Sequence, residues 1–296
     1  MPLCPRLRNL IVEEPLLFRL QLLNYALCAI ILGNFGDLYA YHYPLRHLAA
    51  ARLQAGQLPF WNPYIFAGIP LLANSQAALF YPLSVFFQIF HITHAFTLFA
   101  FAHLLLAGVG MHLLLRFNRL SPASSCCLAL AFCLSPFMTF RLAQGIPTHL
   151  AALSYLPWCW LALQSGRSWL LAGALALQLL SGHPQFVLIH GLAMAAYAVG
   201  DRGRLKTLLV GGAWAAALSL IQAFPMAEFL SLCNRRMVPA AFMGAYSMPP
   251  KALASLVWPE YAGDPSAAIS RTTPRSSSRH ARRTWACCLW PWRFGL

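Results

Sequence analysis

The chain has 296 residues, of which 59% are hydrophobic and 9% charged, and its mean hydropathy is +0.59. Soluble domains carry a charge on roughly a quarter of their residues, so this composition excludes an ordinary soluble enzyme and predicts an all-α protein of the lipid bilayer. The net charge of +14 does not indicate nucleic acid as a partner, because the basic residues stand singly between apolar runs or gather near the C-terminus. Single basic residues between spans are typical of cytoplasmic loops.

Apolar stretches predict about seven transmembrane helices. The first follows a short basic segment without a cleavage site and covers residues 16–35, close to the roughly 20 residues that cross a bilayer. The other spans are predicted at 93–115, 122–140 and 148–164, in a tight hairpin over 169–200 that SGHP interrupts, and at 206–224. The short loops that this order places inside are basic, which predicts a multi-pass protein with a cytoplasmic N-terminus.

A large first outer loop is predicted at residues 36–82. Its first part, 38–58, has apolar residues at helical spacing with Arg46 and His47 on the other side. This pattern predicts an amphipathic helix at the membrane interface that ends near Gly56. The segment that follows, LPFWNPYIFAGIP, is too rich in proline for a regular helix, and its aromatic residues favour the headgroup level of a bilayer.

Asp37 is the candidate catalytic residue, because it is the only acidic residue between Glu14 and Asp201 and the predicted topology places it just outside the first span. A carboxylate among hydrogen-bond donors and aromatic side chains at the mouth of a helical bundle is suited to act as a general base toward a hydroxyl group. Aromatic faces suit sugar rings, and a nearby arginine could neutralise a lipid phosphate. The candidate substrate-binding residues are Tyr41, His42, Tyr43, Arg46, Trp61, Asn62, Asn74, Gln76, His149, His183, Gln185 and Glu260. An alternative interpretation makes the loop an interfacial collar only.

Three further groups of residues carry separate expectations. Glu260 and Asp264 follow the last apolar span on the outer side, and they are candidates for a second acid or for a divalent metal site. His103 lies in the middle of a span and is expected to be a neutral, hydrogen-bonded core residue. The nine cysteines form no CxxC pair and are expected to pack as small apolar side chains.

The predicted first outer loop contains GD followed by YHYP, and then LPFWNPYIFAGIPLLANSQAALFYP. These motifs resemble the YfhO-like family of bacterial membrane proteins, within the GT-C group of polyprenyl-phosphate-sugar glycosyltransferases. Downstream, AFCLSPFMTF, HLAALSYLPW, SGHPQF, IQAFPMAEFLSLCNR and YSMPPKALASLVWPEYAGDP continue the resemblance, which covers residues 16–265 in all. The GT-C group is credited with an acidic catalytic residue at the start of the first outer loop, and the residue at that position is Asp37.

This resemblance implies transfer of a sugar from a polyprenyl-phosphate-linked donor to a cell-envelope polymer, at the outer face of the bacterial inner (plasma) membrane. The fold that it implies is a GT-C-like membrane domain over residues 1–265, with membrane lipid as a partner. The second function class is a transporter or lipid-handling protein without catalysis, in which the loop is a lid. A transporter would more often carry ionisable residues near the middle of the bilayer or an inverted repeat, which favours the enzyme.

The last segment, residues 266–296, differs from everything before it. It is a basic, serine-rich tail that contains Cys287 and Cys288 next to each other, and it is expected to be disordered. Starting its codons one nucleotide earlier can restore an apolar, family-like segment, which predicts a change of reading frame near Pro265. A chain changed in this way would be a truncated family member without the later spans, and we expect it to be inactive.

Overall fold

The structure is a computed structural model that describes residues 37–143 and 145–233, and this part of the chain is mostly helical. The predicted first span at 16–35, the acidic residues Glu260 and Asp264, and the tail at 266–296 lie outside the described residues. The sites and contacts below all belong to one compact unit.

The first outer loop is an ordered substructure. It begins with a π-helical turn, Leu38–His42, that continues into helix α1, Tyr43–Gln54. Helix α1 ends as predicted, since Gly56 adopts a left-handed conformation with φ of +70°. The loop continues through short antiparallel strands β1 (Trp61–Asn62) and β2 (Ile69–Pro70) and through 3-10 turns at Ser75–Ala77 and Pro82–Val85. The prediction that the proline-rich segment is not helical is confirmed.

The remaining elements are helices joined by short turns. They are α2 (Phe86–Ile89), α3 (Ile92–Phe117), α4 (Pro122–Cys133), α5 (Pro136–Ala143), α6 (Pro147–Ser154), α7 (Leu156–Gln164), α8 (Ser168–Leu180), α9 (Pro184–Ala198) and α10 (Arg202–Leu232). A proline occupies the first turn of α4, α6, α7 and α9, where its missing N–H has no helical partner to lose.

Two of the described helices, α3 and α10, are long and apolar enough to cross a membrane. The pair α4 and α5 would be a third span if it is counted as one, although it is bent by 45°. Helices α8 and α9 are apolar but shorter, and their turn lies at Ser181–Pro184, where the sequence predicts a hairpin. The described part of the chain thus contains two or three helices that could span a membrane, and the number of seven spans stays a prediction.

Two predicted spans have different boundaries in the structure. The fourth is divided into α6 and α7 at Tyr155, because Pro157 cannot donate a backbone hydrogen bond within the helix. The prediction that the last span ends at Phe224 is wrong, since α10 continues through Pro225 to Leu232. Gln222 Nε2 donates to the carbonyl of Leu72 over 3.0 Å, and this contact attaches the second half of α10 to the first outer loop.

The basic turns lie together at one end of the helices. Asn118, just after α3, donates from Nδ2 to Gln164 Oε1 at the end of α7 over 2.8 Å. At the same end α10 approaches α8 so closely that a Cβ on Gly211 would lie 3.0 Å from the Ser168 carbonyl. The first outer loop lies at the other end, where it contacts the turn between α8 and α9. This separation agrees with the predicted topology, whose sidedness stays a prediction.

A buried hydrogen-bonded chain attaches the loop to α3. His103 Nδ1 donates to the carbonyl of Phe99 over 2.6 Å, so its Nε2 accepts, and Tyr81 OH donates to it over 2.6 Å. Tyr81 OH in turn accepts from Tyr155 OH over 2.7 Å. The prediction that His103 is a hydrogen-bonded core residue is confirmed. Cys126, Cys133 and Cys159 are also buried, as expected of thiols that pack among apolar side chains, whereas Cys127 is exposed.

Candidate functional site

Asp37 stands at the start of the π-helical turn with its side chain exposed and capping no backbone amide. One turn later, Tyr41 accepts a hydrogen bond at its hydroxyl from Asn74 Nδ2 over 2.8 Å. The other side-chain atom of Asn74, Oδ1, accepts from the backbone N–H of Gln76 over 3.0 Å. This pair of contacts joins the beginning of the loop to its later 3-10 turn, close to the only carboxylate among residues 37–143.

The 3-10 turn of the loop rests directly on the turn between α8 and α9. Ser75 Oγ donates to the carbonyl of Gly182 over 3.4 Å across 107 residues of sequence. Gly182 has a φ of +106°, and a Cβ at this position would lie 2.6 Å from the Ser75 carbonyl oxygen. Only glycine permits both this backbone conformation and this approach. Two motifs that are far apart in the chain, LLANSQ and SGHPQF, therefore meet.

Three histidines from three elements lie close to this junction. The rings of His149 and His183 are 4.0 Å apart between centroids, in an edge-on arrangement. Burial and, to a smaller extent, the neighbouring Arg46, His149 and His183 together lower the pKa of His42 to about 3. Burial also lowers the pKa of His183, as Arg141 does, although a hydrogen bond with Gln185 acts in the opposite direction. His42 and His183 are therefore neutral at physiological pH.

Arg46 is buried, with 1% of its surface exposed, so the prediction that it lies on the polar side of α1 is wrong. Its guanidinium donates from NH1 to Ser84 Oγ over 2.7 Å and lies 5.0 Å from the ring centre of Phe87 and 5.5 Å from that of Phe99. Burial lowers the pKa of Arg46 to about 10, so it stays cationic. The aromatic rings stabilise the buried charge, and this environment leaves no exposed guanidinium for a lipid phosphate.

A cavity of about 90 Å³ opens beside the start of the loop. Leu38, the residue after Asp37, forms part of its wall, and Arg141 is the charged side chain among the residues that line it. The rest of the lining is mostly apolar and includes Phe96, Ala100, Leu142, Ile146, Pro147 and Leu150. A larger open groove of about 770 Å³, lined by Arg167, Trp169 and Trp214, lies at the basic end and contains no carboxylate or histidine.

The candidate residues separate into three groups in the structure. Tyr41, His42, Asn74, Gln76, His149, His183 and Gln185 gather around the junction of the two motifs. Trp61 and Asn62 belong to the hairpin: Asn62 Oδ1 accepts from Tyr64 N over 3.0 Å, and the half-exposed indole of Trp61 covers Gly68. Tyr43 stacks against Phe96 of α3. Glu260 lies outside the described residues.

Arg141 is the residue that sequence reasoning did not select. It lines the cavity, its guanidinium lies 5.0 Å from the ring centre of Phe137, and its charge acts on His149 and His183. The signal was present, because Arg141 is the only basic residue in the short turns that the topology places outside. A cation at the end that is predicted to be outer, against the positive-inside tendency, is a reason to expect a function.

Among residues 37–143 and 145–233, no group of three or more His, Cys, Asp or Glu side chains could hold a metal ion. The predicted metal partners Glu260 and Asp264 are not among these residues. No family model matches the chain, and no curated protein and no solved structure was found to be similar to it.

The buried position of His42 predicts a stability that depends on pH. Its pKa is about 3 in the folded chain, against an ordinary value of 6.5, so the unfolded chain binds more protons in acid. The contribution to stability is complete above about pH 6.5 and falls as the pH approaches about 3, by up to about 1.4 kcal/mol per pH unit. The free energy of unfolding, measured in mixed micelles, should decrease less between about pH 7 and about pH 5 for His42→Phe than for the unsubstituted chain. His47→Asn, at an exposed position of helix α1, which follows His42, is the control and should show the same decrease as the unsubstituted chain. Equal decreases in all three proteins would contradict the prediction.

Proposed function

We propose that the chain is a GT-C-like membrane glycosyltransferase, or the N-terminal part of one. In this proposal it moves a sugar from a polyprenyl-phosphate-linked donor to a cell-envelope polymer at the outer face of the bacterial cell membrane. The observation that carries the proposal is the cavity lined by Leu38, the residue after Asp37, which combines an apolar lining with the guanidinium of Arg141. An apolar chain that ends in a phosphate is the ligand whose two parts match these two surfaces.

The exposed carboxylate supplies the chemistry in this proposal. An acceptor hydroxyl attacks the anomeric carbon of the sugar, the new glycosidic bond forms, and the bond between the sugar and the phosphate breaks. Asp37 takes the proton of the hydroxyl as general base, and the phosphate leaves on its lipid. Arg141 neutralises the phosphate charge that develops in this step. The exposed aromatic residues of the hairpin, among them Trp61 and Tyr64, are suited to stack against sugar rings.

The second function class, a lipid-handling protein or transporter, shares the cavity but not the chemistry. The two classes differ at Asp37, whose carboxylate accepts a proton only in the enzyme. Within the described part of the chain, ionisable side chains in the middle of α3 are limited to His103 and His112, and His103 is hydrogen-bonded within the core. This arrangement favours an enzyme that acts at the membrane surface over a transport pathway through the helices.

Filling the cavity tests the proposal. Ala100 lines it, and the larger side chain in Ala100→Phe would occupy much of its volume of about 90 Å³. We expect this substitution to weaken binding of farnesyl phosphate, a short polyprenyl phosphate, by about tenfold or more, since an apolar ligand group loses roughly 0.8 kcal/mol for each CH₂ left in water. Titration of the full chain in detergent micelles measures the affinity. Ala216→Phe, at an exposed position of α10, is the control, and equal affinities in both variants would refute the assignment of the cavity.

A further inference from the structure

Two helices begin beside the histidines without a side-chain cap. Helix α6 starts at Pro147 and helix α9 at Pro184, and the residues at the two N-cap positions, Ile146 and His183, make no side-chain hydrogen bond to the first turn. The N-terminus of a helix carries a partial positive charge and backbone N–H groups that lack helical partners. Each of these two helix starts therefore favours a negatively charged group nearby.

The two helix starts converge on one point. A Cβ on Gly182, just before α9, would lie 3.0 Å from Cγ2 of Thr148 in the first turn of α6. The rings of His149 and His183, one from each helix start, are 4.0 Å apart. Both imidazoles are only partly buried, so a ligand at the surface can contact their exposed atoms.

Polar atoms at this point lack hydrogen-bond partners. Thr148 is 0% exposed and His42 is 1% exposed, yet Thr148 Oγ1 and His42 Nδ1 have no partner among the described residues. Nδ1 of His149 is also buried and has no hydrogen-bond partner among the described residues. The hydroxyl and the neutral imidazoles can each donate one hydrogen bond, and buried donors are normally satisfied. The ligand that satisfies several donors at once is one with several acceptor oxygens.

The surrounding charges select an anion. Arg46, His149 and His183 act on His42, and Arg141 acts on both His149 and His183, so all these titratable neighbours are basic. None of the three described carboxylates acts on these histidines. Arg141 also lines the apolar cavity and so connects it with the histidines. A ligand that reaches both places has an apolar chain and an anionic head.

We infer that His42, Thr148, His149 and His183, at the joined N-termini of α6 and α9, form a subsite for the phosphate group of a lipid phosphate. The subsite donates hydrogen bonds from imidazole, hydroxyl and backbone groups to the phosphate oxygens, while the isoprenoid chain extends into the cavity. The lipid nature of the ligand rests on the proposed function, and the phosphate chemistry rests on the geometry of the subsite alone. Free inorganic phosphate is the other source of the same chemistry.

Binding titrations of the full chain in detergent micelles separate the contribution of the isoprenoid chain from that of the phosphate group. They use three probes: farnesyl phosphate, farnesol and inorganic phosphate. We expect farnesyl phosphate to bind at least about tenfold more tightly than farnesol, and His149→Asn and Thr148→Val each to weaken it by about threefold to tenfold. Thr148→Val keeps the shape of the side chain, which protects the fold. The matched control is His94→Asn at an exposed position on α3, which should leave the affinity unchanged.

Each outcome decides the inference. Loss of affinity in His149→Asn and Thr148→Val, with His94→Asn unchanged, supports it. Equal binding of farnesol and farnesyl phosphate, or unchanged affinity in both substituted proteins, overturns it. Inorganic phosphate that binds as tightly as farnesyl phosphate overturns the assignment to a lipid. Because binding is measured without sugar transfer, a chain with the predicted change of reading frame near Pro265 reversed that binds as expected but transfers nothing would count against the proposed function and not against the subsite.

Discussion

Asp37→Asn should abolish sugar transfer while leaving the fold intact. A general base contributes roughly 10²- to 10⁴-fold to a rate, so transfer of radiolabelled sugar from the lipid carrier is expected to fall by at least about a hundredfold. Asp37 is exposed and caps no amide, so the free energy of unfolding should change by less than about 0.5 kcal/mol. If the unsubstituted chain transfers no sugar, the same pair is compared in a longer chain in which the predicted change of reading frame near Pro265 is reversed.

Asp201→Asn is the matched control for this substitution. Asp201 caps α10 by accepting from Arg204 N over 3.0 Å and pairs with the Arg204 guanidinium over 3.2 Å at the surface. Asparagine caps a helix as well as aspartate does, and the exposed ion pair contributes at most about 1 kcal/mol. Transfer should therefore persist in Asp201→Asn. Undiminished transfer by a well-expressed Asp37→Asn protein would contradict the role of Asp37 as base and favour the lipid-handling alternative.

Gly182→Ala should be among the most destabilising single-methyl substitutions in the described chain. An L-residue held at a positive φ loses roughly 1–2 kcal/mol, and the added Cβ would lie 2.6 Å from the Ser75 carbonyl oxygen. Backbone on both sides must move to relieve this overlap, which adds about 1–3 kcal/mol. We expect a loss of about 2–5 kcal/mol in the free energy of unfolding, measured by denaturant titration in mixed micelles.

The effect of the contact can be separated from the effect of the backbone conformation. Gly200 has a φ of +88°, and a Cβ there meets nothing within 4 Å. Gly200→Ala should therefore lower the free energy of unfolding only by the cost of the positive φ, about 1–2 kcal/mol. Similar decreases in the free energy of unfolding of the two variants would show that the loop does not contact Gly182 closely. Because the same contact holds Gln76 and the histidines together, Gly182→Ala should also weaken binding of farnesyl phosphate, whereas Gly200→Ala should not.

The helical class, the helix starts at Pro122 and Pro184 and the non-helical character of the proline-rich segment could be predicted from the sequence alone. These features depend on local causes: apolar composition, proline at first turns and glycine after helix ends. Helix α1, for example, ends beside Gly56 as its sequence predicts. The predicted end of the last span at Phe224 failed because a proline can remain inside a helix whose neighbouring residues are held by other contacts, here Gln222 on Leu72.

Some residues of the candidate site could be selected from the sequence, and others were identified only from the tertiary structure. Asp37, Tyr41, Asn74 and Gln76 could be selected from the sequence because they stand together in one polar loop. Only the tertiary structure decided that Arg46 turns inward onto aromatic rings and that Arg141 lines the cavity beside the loop. It also brought the SGHPQF turn against the loop, 107 residues away. The physical reason is that periodicity assigns a residue to the face of its own helix, whereas the partner of that face depends on how distant helices pack, which no local pattern records.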